Sequence, residues 1–355
     1  GVCAERGARA DKELVACDAT TGRVRWRLAG PTPGDVSFLT LAAQDNRLVL
    51  QNSRAVICLD AGTGATVWEH PCNQQHPAAV ASANVTVARD VVLFSEITSF
   101  KDGTGQVHAV RLDDGSPLWS QSAATGWGSP VDILCIGDTV WVGQAAKRGS
   151  GSGHPRGEQD FTRGFDLHTG TVVQELDTSR AFVDRPHHHR CHRNKATQNL
   201  LVVGRHGIEL VPTDGSRILL HDWIRGGCVY GVLPANDLFY VPPHPCRCYT
   251  GNLLSGMLAV AQAPQRDLLK GNAGRTETMQ AAPLSSALPA AGDWPMLRHD
   301  PGRSGSTRSR LEPGGIAERW RADVGGVPTQ AVCAGGVLIA AAPRAGTLFA
   351  RNAAT

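Results

Sequence analysis

Two short segments of the chain concentrate side chains that bind transition metals. Residues 187–192 read His-His-His-Arg-Cys-His, and residues 244–248 read His-Pro-Cys-Arg-Cys. Imidazole nitrogens and thiolates are the ligands that Zn²⁺ and copper prefer. In a strand, the His and both Cys of the second segment would project from one face, because side chains alternate. The candidate ligands of a zinc or copper site are therefore Cys191, His192, His244, Cys246 and Cys248.

A second interpretation of these segments stays open. Neither has the Cys-x-x-Cys spacing of well-characterised zinc sites, and consecutive histidines in a strand or loop point in different directions. The same residues are also compatible with a disulfide or buried thiols beside polar loop histidines. With ten cysteines in 355 residues, the pairing cannot be deduced from spacing.

Composition excludes several classes of protein. A formal charge of +3 over 355 residues is too dilute for a nucleic-acid-binding surface, so no nucleic-acid partner is expected. No run approaches the ~18 consecutive apolar residues that a membrane-spanning helix needs. The chain contains 40 glycines and 21 prolines, which separate short apolar runs. This pattern predicts many short strands joined by turns, and hence an all-β fold.

An internal repeat defines the architecture. Residues 16–26, 58–68 and 164–174 align without gaps: each has Asp, then Thr-Gly three and four residues on, and then Trp, which the third copy replaces with Gln174. A worn copy at 112–119 keeps Gly and Trp119. Asp and Gly are the residues that close a tight hairpin. We therefore expect a turn at each copy, with the Trp on the returning strand and the Asp in a structural role.

The spacing of the tryptophans matches one propeller blade. Trp26 and Trp68 are 42 residues apart, and Trp68 and Trp119 are 51 residues apart, close to the ~40–50 residues of a four-stranded blade. Between the first two we predict a turn at Asp45–Asn46 and four strands, Val36–Leu41, Leu48–Gln51, Val56–Leu59 and Thr66–Glu69.

The pattern Asp-x-x-Thr-Gly-x-x-x-Trp resembles the tryptophan-docking motif of propellers of the quinoprotein alcohol dehydrogenase type, the PQQ-like repeats. The resemblance implies stacked four-stranded blades, in which each Trp packs between its own blade and the next. Residues 190–197, 230–236 and 242–249 resemble a multidomain, exported bacterial subgroup of these proteins. A periplasmic or extracellular location is expected on that ground.

The same resemblance bears on the cofactor. Quinoprotein dehydrogenases are expected to have two adjacent cysteines over the quinone, a calcium ion held by carboxylates and Asn, and an Asp base. The chain has no adjacent cysteines, since Arg247 separates Cys246 from Cys248. We therefore do not expect pyrroloquinoline quinone (PQQ), and zinc or copper is the only cofactor that the residues suggest.

The predicted organisation is a partial propeller of about five blades at 1–262, a linker at 263–292, and at 293–355 the start of a second propeller or a further blade. Both ends look truncated, because Glu13–Cys17 is expected to be a third strand and Thr355 precedes the position of a turn glycine. The favoured function is a non-catalytic binding or scaffold module, with a protein, peptide or saccharide on the propeller face. The alternative is a quinoprotein-like or metal-dependent oxidoreductase that uses the His/Cys segments.

Overall fold

The computed structural model shows short antiparallel strands along the chain. It describes residues 13–29, 40–73, 84–99, 103–124, 131–145, 159–178, 193–204, 207–221, 223–227, 230–242, 256–262, 290–311, 314, 316–324, 326–342 and 347–353. No α-helix occurs among them, and hence none with the length and apolar character that crossing a bilayer requires.

The chain divides into two compact units. Unit 1 contains Gly1–Cys191 and Pro301–Ser304, and unit 2 contains His192–Asp300 and Gly305–Thr355. We number the sheets blades 1 to 7 in chain order; blades 1 to 4 belong to unit 1 and blades 5 to 7 to unit 2.

The strands of unit 1 follow one another in order within each sheet. Blade 1 consists of β1 (Glu13–Cys17) and β2 (Val24–Ala29), and blade 2 of β3 (Ala42–Gln44), β4 (Arg47–Gln51), β5 (Ala55–Asp60) and β6 (Thr66–Pro71). Blade 3 consists of β7 (Val85–Ala88), β8 (Val91–Ser99), β9 (Thr104–Arg111) and β10 (Pro117–Ala124). Blade 4 consists of β11 (Ile133–Ile136), β12 (Thr139–Val142), β15 (Arg163–Asp166) and β16 (Val172–Glu175), with β13 (Gln144–Ala145) and β14 (Gln159–Asp160) as a separate two-stranded ladder.

Unit 2 continues the pattern. Blade 5 consists of β17 (Lys195–Ala196), β18 (Leu200–Val203), β19 (Ile208–Pro212) and β20 (Leu219–His221). Blade 6 consists of β21 (Leu233–Ala235), β22 (Leu238–Val241), β23 (Met257–Gln262) and β24 (Ile316–Ala322), and blade 7 of β25 (Val332–Ala334), β26 (Val337–Ala342) and β27 (Thr347–Asn352). Five of the described sheets thus have the four strands expected of a blade.

Tight hairpins join the first two strands of a blade. The predicted turn at Asp45–Asn46 is confirmed: both residues have positive φ, 46° and 59°, as a two-residue type I′ turn requires. Its register pairs Ala42 with Val49 and Gln44 with Arg47. The described first strand of blade 2 is Ala42–Gln44, because a two-residue hairpin keeps the strand paired up to the turn. Of the predicted strand Val36–Leu41, residues 36–39 lie outside the described residues, and Thr40 and Leu41 are not in a strand.

The repeated Asp closes the turn between the third and fourth strands. Asp60 Oδ1 accepts hydrogen bonds from the backbone N–H and the hydroxyl of Thr63, at 2.8 and 2.9 Å. Asp166 and Thr169 repeat both bonds, at 2.8 and 2.9 Å. The repeated Asp side chain therefore stabilises its own turn, which is the structural role predicted from the sequence.

The tryptophan of each repeat reaches the next blade. Trp68 Nε1 donates to the carbonyl of Leu112 at 2.8 Å, and its ring lies against Gly115 of the following turn. A Cβ on Gly115 would meet the ring at 2.7 Å, so a larger residue would clash there. Trp26 over Gly64 and Trp119 over Gly170 show the same arrangement.

The apolar cores lie between successive blades within each unit. Val49, Cys58 and Trp68 of blade 2 pack with Val85 and Phe94 of blade 3, all at most 8% exposed. Equivalent clusters join blades 3 and 4, blades 5 and 6, and blades 6 and 7. The space between two sheets, rather than one central core, therefore holds the buried side chains.

Blade 6 is completed by a strand from far along the chain. β24 pairs antiparallel with β23, from Met257 with Ala322 to Gln262 with Ile316. Trp320 Nε1 then approaches the carbonyl of Ala353 in blade 7 at 3.4 Å, in the manner of the repeat tryptophans. The division at 262 and 292 stays a prediction, and this pairing favours a further blade over a second propeller for 293–355.

Residues 291–309 supply carbonyl groups to the first strands of blades and to the turns that follow them. In unit 1, the carbonyls of Pro301, Gly302 and Ser304 accept from the N–H groups of Ala43, Val87 and Cys135, all in first strands. In unit 2, the carbonyl of Gly305 accepts from Ala196 in a first strand, and those of Gly292 and Ser309 accept from Asn236 and Gln198 in turns. One segment of chain thus satisfies N–H groups that would otherwise need water.

Candidate functional site

The predicted metal ligands lie outside the described residues. This holds for every candidate: Cys191, His192, His244, Cys246 and Cys248. Among the residues that the structure does describe, no group of three or more His, Cys, Asp or Glu side chains could hold a metal ion. The metal site therefore stays a prediction.

A hydrogen bond joins the start of blade 5 to the loop before blade 6. Lys195, at the start of β17, donates from Nζ to the carbonyl of Tyr230 at 2.6 Å. Tyr230 leads into β21, where Leu233 pairs with Tyr240 near the end of β22. Blades 5 and 6 therefore meet at this contact.

Buried cations occupy this end of unit 2. Lys195 is 4% exposed, and its Nζ also donates to the carbonyl of Arg193 at 3.2 Å. Arg225 is 1% exposed. Arg193 lines a narrow crevice together with Gly226, the residue after Arg225. Charged side chains are seldom fully buried, so the burial of Lys195 and Arg225 distinguishes this end of unit 2.

A larger pocket opens on unit 2 between the turns of blades 6 and 7. Its volume is about 710 Å³, within the range of ligand-binding cavities. Its polar lining comes from two turns and from the chain around blade 6: Asn236, Asp237, Asp293, Arg310, Arg319 and Asn352. The wall thus carries two carboxylates and two guanidinium groups, a lining suited to a charged or zwitterionic ligand.

The wall of the pocket is fixed by a buried carboxylate. Asp293 is 1% exposed, and its Oδ2 accepts from the N–H groups of Ala290 at 2.8 Å and Gly335 at 3.0 Å. The side chain of Asn236, in the turn of blade 6, donates from Nδ2 to Sγ of Cys333 in β25 of blade 7, at 2.8 Å. Since these bonds join the turns of blades 6 and 7, the pocket has a preorganised rim.

The buried thiols of the described residues are unsuited to nucleophilic chemistry. Burial raises the pKa of Cys58, Cys72 and Cys333 to about 11. A thiol with a raised pKa is protonated at neutral pH and therefore a poor nucleophile and metal ligand. These three cysteines serve packing.

An acid–base pair lies between blades 2 and 3. Glu96 Oε2 is 3.3 Å from His108 Nε2, and Glu96 Oε1 accepts from the N–H of Asn73 at 2.8 Å. Burial raises the pKa of Glu96, but the bonds from His108 and Asn73 and the charges of His108 and His70 outweigh it, so the pKa is lowered. Glu96 is thereby held as a carboxylate and is unsuited to donating a proton at neutral pH.

Sequence reasoning missed both the pocket and the buried cations. Asn236 and Asp237 form a turn with positive φ, and their place in a pocket depends on the distant turn at Gly335–Gly336. An arginine such as Arg225 is usually exposed, so its residue type alone does not indicate burial. The one available signal was the pair Gly226–Gly227 beside it, since paired glycines often mark a close approach of backbone. Such an approach exists: a Cβ on Gly226 would lie 2.5 Å from Gly231.

Successive four-stranded sheets, closed turns and tryptophans that reach the next sheet define the class of this protein: a β-propeller of PQQ-like repeats, as predicted. A family model described as the outer membrane protein assembly factor BamB matches residues 10–206, more than half of the chain. The chain belongs to this family.

Solved structures agree on the fold. BamB from Moraxella catarrhalis superposes with a TM-score of 0.53 at 16% identity, over 95% of this chain and 78% of that one. The quinohemoprotein alcohol dehydrogenase ADHIIG from Pseudomonas putida HK5 gives a TM-score of 0.54 at 10% identity, over 97% of this chain and 62% of that one. Among curated protein sequences, none matches this chain. Identities this low show a common fold and nothing of activity.

Proposed function

We propose that this chain is a non-catalytic binding module of an exported bacterial protein, located in the periplasm or outside the cell, and that its pocket holds a charged polypeptide segment. One observation carries the proposal: the pocket of about 710 Å³ in unit 2 has carboxylates and guanidinium groups on the same wall. Membership of the BamB family supports a scaffold role and a protein partner.

The charges of the pocket favour a polypeptide over a saccharide. Arg310 and Arg319 are exposed on its wall, opposite in sign to exposed Asp237 and buried Asp293. A peptide offers both charges at fixed spacing and therefore complements a wall of mixed charge, whereas a neutral saccharide offers no charge at all. The domain organisation proposed with this function has residues 1–262 and 293–355 in one propeller, with the latter adding β24 and blade 7.

Binding of defined probes tests this function. Titration calorimetry at low salt would compare labelled acidic, basic and mixed-charge decapeptides with a neutral oligosaccharide. We expect peptides to bind, and we expect Arg310→Glu with Arg319→Glu to shift the preference from acidic to basic peptides. Arg217→Glu, at an exposed position that does not line the pocket, is the matched control and should change neither affinity. Binding of the saccharide alone, or of no probe, contradicts the proposal.

The second candidate function is an oxidoreductase that uses the His/Cys segments. The observation in its favour is that Lys195, three residues after His192, donates to the carbonyl of Tyr230, which leads into β21, the partner strand of β22. Elemental analysis of the purified chain tests it. Stoichiometric zinc or copper that is lost in Cys246→Ser with Cys248→Ser would support this function over the binding module.

A further inference from the structure

Asp293 is a buried carboxylate that uses only one of its two oxygens. The residue is 1% exposed and lines the pocket of unit 2. Its Oδ2 accepts from the N–H groups of Ala290 at 2.8 Å and Gly335 at 3.0 Å, whereas its Oδ1 accepts no hydrogen bond from the described residues. An ionised carboxylate offers about four acceptor sites over its two oxygens. Oδ1 is therefore the acceptor that remains for a ligand in the pocket.

The two arginines of the pocket wall do not pair with Asp293. Among the described residues, neither Arg310 nor Arg319 forms an ion pair with it, and both have other interactions. Arg310 lies near Asp214, outside the pocket: hydrogen bonds from Ser216 lower the pKa of Asp214, and the charge of Arg310 adds to this. Buried charges in proteins are usually paired, so a buried carboxylate without a counter-charge is suited to bind a cation.

The rest of the lining suits the aliphatic part of a lysine side chain. The pocket has a volume of about 710 Å³, and Leu238, Leu311 and Ala353 contribute buried apolar side chains to its wall. A lysine packs its methylene groups along apolar surface and keeps its ammonium at a polar group. A Cβ on Gly335 would meet nothing within 4 Å, so the turn that donates to Asp293 leaves open space beside it. The pocket thus fits one long amphipathic side chain.

A single open oxygen favours an ammonium over a guanidinium. Arginine binds a carboxylate most strongly through two parallel bonds to both oxygens, whereas lysine acts as a compact point charge. Both backbone bonds of Asp293 are made to Oδ2, which leaves Oδ1 for a single donor.

We propose that Asp293 recognises a lysine of the bound polypeptide, whose ammonium group donates to Oδ1. Acidic residues beside that lysine would face the exposed Arg310 and Arg319, so the bound segment is of mixed charge. This inference rests on the proposed function and adds to it the residue type that the pocket selects.

Titration calorimetry with decapeptides that differ at one position tests the contact. The peptides are N-acetylated, contain glutamate and serine, and carry lysine, arginine or uncharged norleucine at the centre. We expect the lysine peptide to bind about tenfold or more tightly than the norleucine peptide, as a charge-assisted hydrogen bond provides, and more tightly than the arginine peptide. In Asp293→Asn the preference for lysine should disappear. The amide oxygen of this variant can keep the bonds to Ala290 and Gly335, while its nitrogen replaces Oδ1 and cannot accept.

Two further variants separate Asp293 from the general charge of the wall. Glu318→Gln removes an exposed carboxylate that pairs with Arg321 and does not line the pocket, and it should keep the full preference for lysine. Asp237→Asn, at the exposed rim, should weaken the lysine peptide less than Asp293→Asn does. If Asp293→Asn does not fold, the three peptides on the parent chain and on Asp237→Asn decide between the two carboxylates.

The outcomes distinguish this inference from the proposed function. Peptides that bind equally with lysine and norleucine, tighter binding of the arginine peptide, or loss of the lysine preference in Asp237→Asn overturn the role of Asp293 and leave the binding module intact. Tight binding of the norleucine peptide only when its N-terminus is free would assign the ammonium to a chain terminus and overturn the lysine. Absence of binding by every peptide overturns the proposed function itself.

Discussion

Glu96 is held in its ionised form by neighbours in the folded protein. His108 and the N–H of Asn73 lower its pKa, so the carboxylate binds its proton less readily when folded than when unfolded. A lowered folded pKa gives stability that is present above the unfolded value of about 4.3 and lost as the pH falls through the folded value. We expect Glu96→Gln to be less stable than the parent chain at neutral pH, with the difference shrinking in acid.

Urea denaturation at several pH values between about 7 and 3 checks this expectation. Glu175→Gln is the matched control, because the Glu175 side chain is 70% exposed and pairs only at the surface with Arg163. A stability difference for Glu96→Gln that stays constant with pH would contradict the assignment.

Gly64 is required both by its positive φ and by the close approach of a tryptophan ring. Its φ is +77°, and a Cβ would meet the Trp26 ring at 2.8 Å. Gly22 has nearly the same backbone, with φ +70°, but nothing within 4 Å of a Cβ. Gly22→Ala should therefore cost about 1 kcal/mol from backbone strain alone. Gly64→Ala should cost about 1–3 kcal/mol more, from overpacking against the ring.

The free energies of unfolding of Gly22→Ala and Gly64→Ala, measured by denaturation, show whether contact with the Trp26 ring adds to the cost of backbone strain. Equal losses would show that the Trp26 ring moves aside without penalty. A larger loss at Gly64 would show that the turn and the tryptophan of the preceding blade form one packed unit.

Residue types predicted some roles and missed others. The repeated Asp, Thr and Gly were identifiable because each acts locally, through bonds within a single turn. Arg225 and Lys195 were not, since their burial depends on the approach of blade 5 to the loop before blade 6. A charged residue in a loop is usually solvated, and only tertiary packing reverses this.

At the scale of elements, contacts between neighbouring blades stabilise the fold, and the repeat tryptophan is one of them. Trp68 is 8% exposed, and its Nε1 donates to the carbonyl of Leu112 in the next blade. Trp68→Phe keeps an aromatic ring but leaves this carbonyl without its donor. We expect a loss of about 1–3 kcal/mol, the cost of an unsatisfied buried group.

Denaturation of Trp223→Phe provides the comparison for Trp68→Phe. Trp223 is 44% exposed, so its substitution should change stability by no more than about 0.5 kcal/mol. Similar effects of both substitutions would argue against a special role for the repeat tryptophan.

The sequence predicted the strands that hairpins join, but not the strand that returns from a distance. The predicted Leu48–Gln51, Val56–Leu59 and Thr66–Glu69 lie within β4, β5 and β6. The pairing of β24 with β23 was not predicted, because the stretch between Gln262 and Ile316 is longer than the hairpin connections found elsewhere in the repeat. Pairing across a long connection leaves no short-range signal in the sequence.

At the scale of the whole molecule, residues beyond 262 complete blade 6 and supply hydrogen-bond acceptors to blades that precede them in the chain. A chain ending at Gln262 would lack β24 and the carbonyls of Pro301 and Gly302. We expect such a chain to be less stable, and the amide of Val87 to exchange with solvent at least about tenfold faster, equivalent to ~1.4 kcal/mol of opening free energy.

Hydrogen exchange followed by mass spectrometry or NMR checks the truncated chain. The amide of Val49 is the internal control, because β4 is paired on both sides within blade 2. If the chain ending at Gln262 keeps full protection at Val87 and full stability, residues 1–262 are an independent domain, as predicted from the sequence.

The four residues Pro301–Ser304 belong to unit 1, although most of that unit ends at Cys191. During synthesis the edge strands of blades 2 to 4 must therefore wait until the ribosome has added the intervening stretch of unit 2. At ~5–20 residues per second, this delay lasts roughly 5–20 s. Through that interval the N–H groups of Ala43, Val87 and Cys135 lack their final acceptors. Because unpaired strand edges promote aggregation, we expect unit 1 to be more prone to aggregation during this interval than after it.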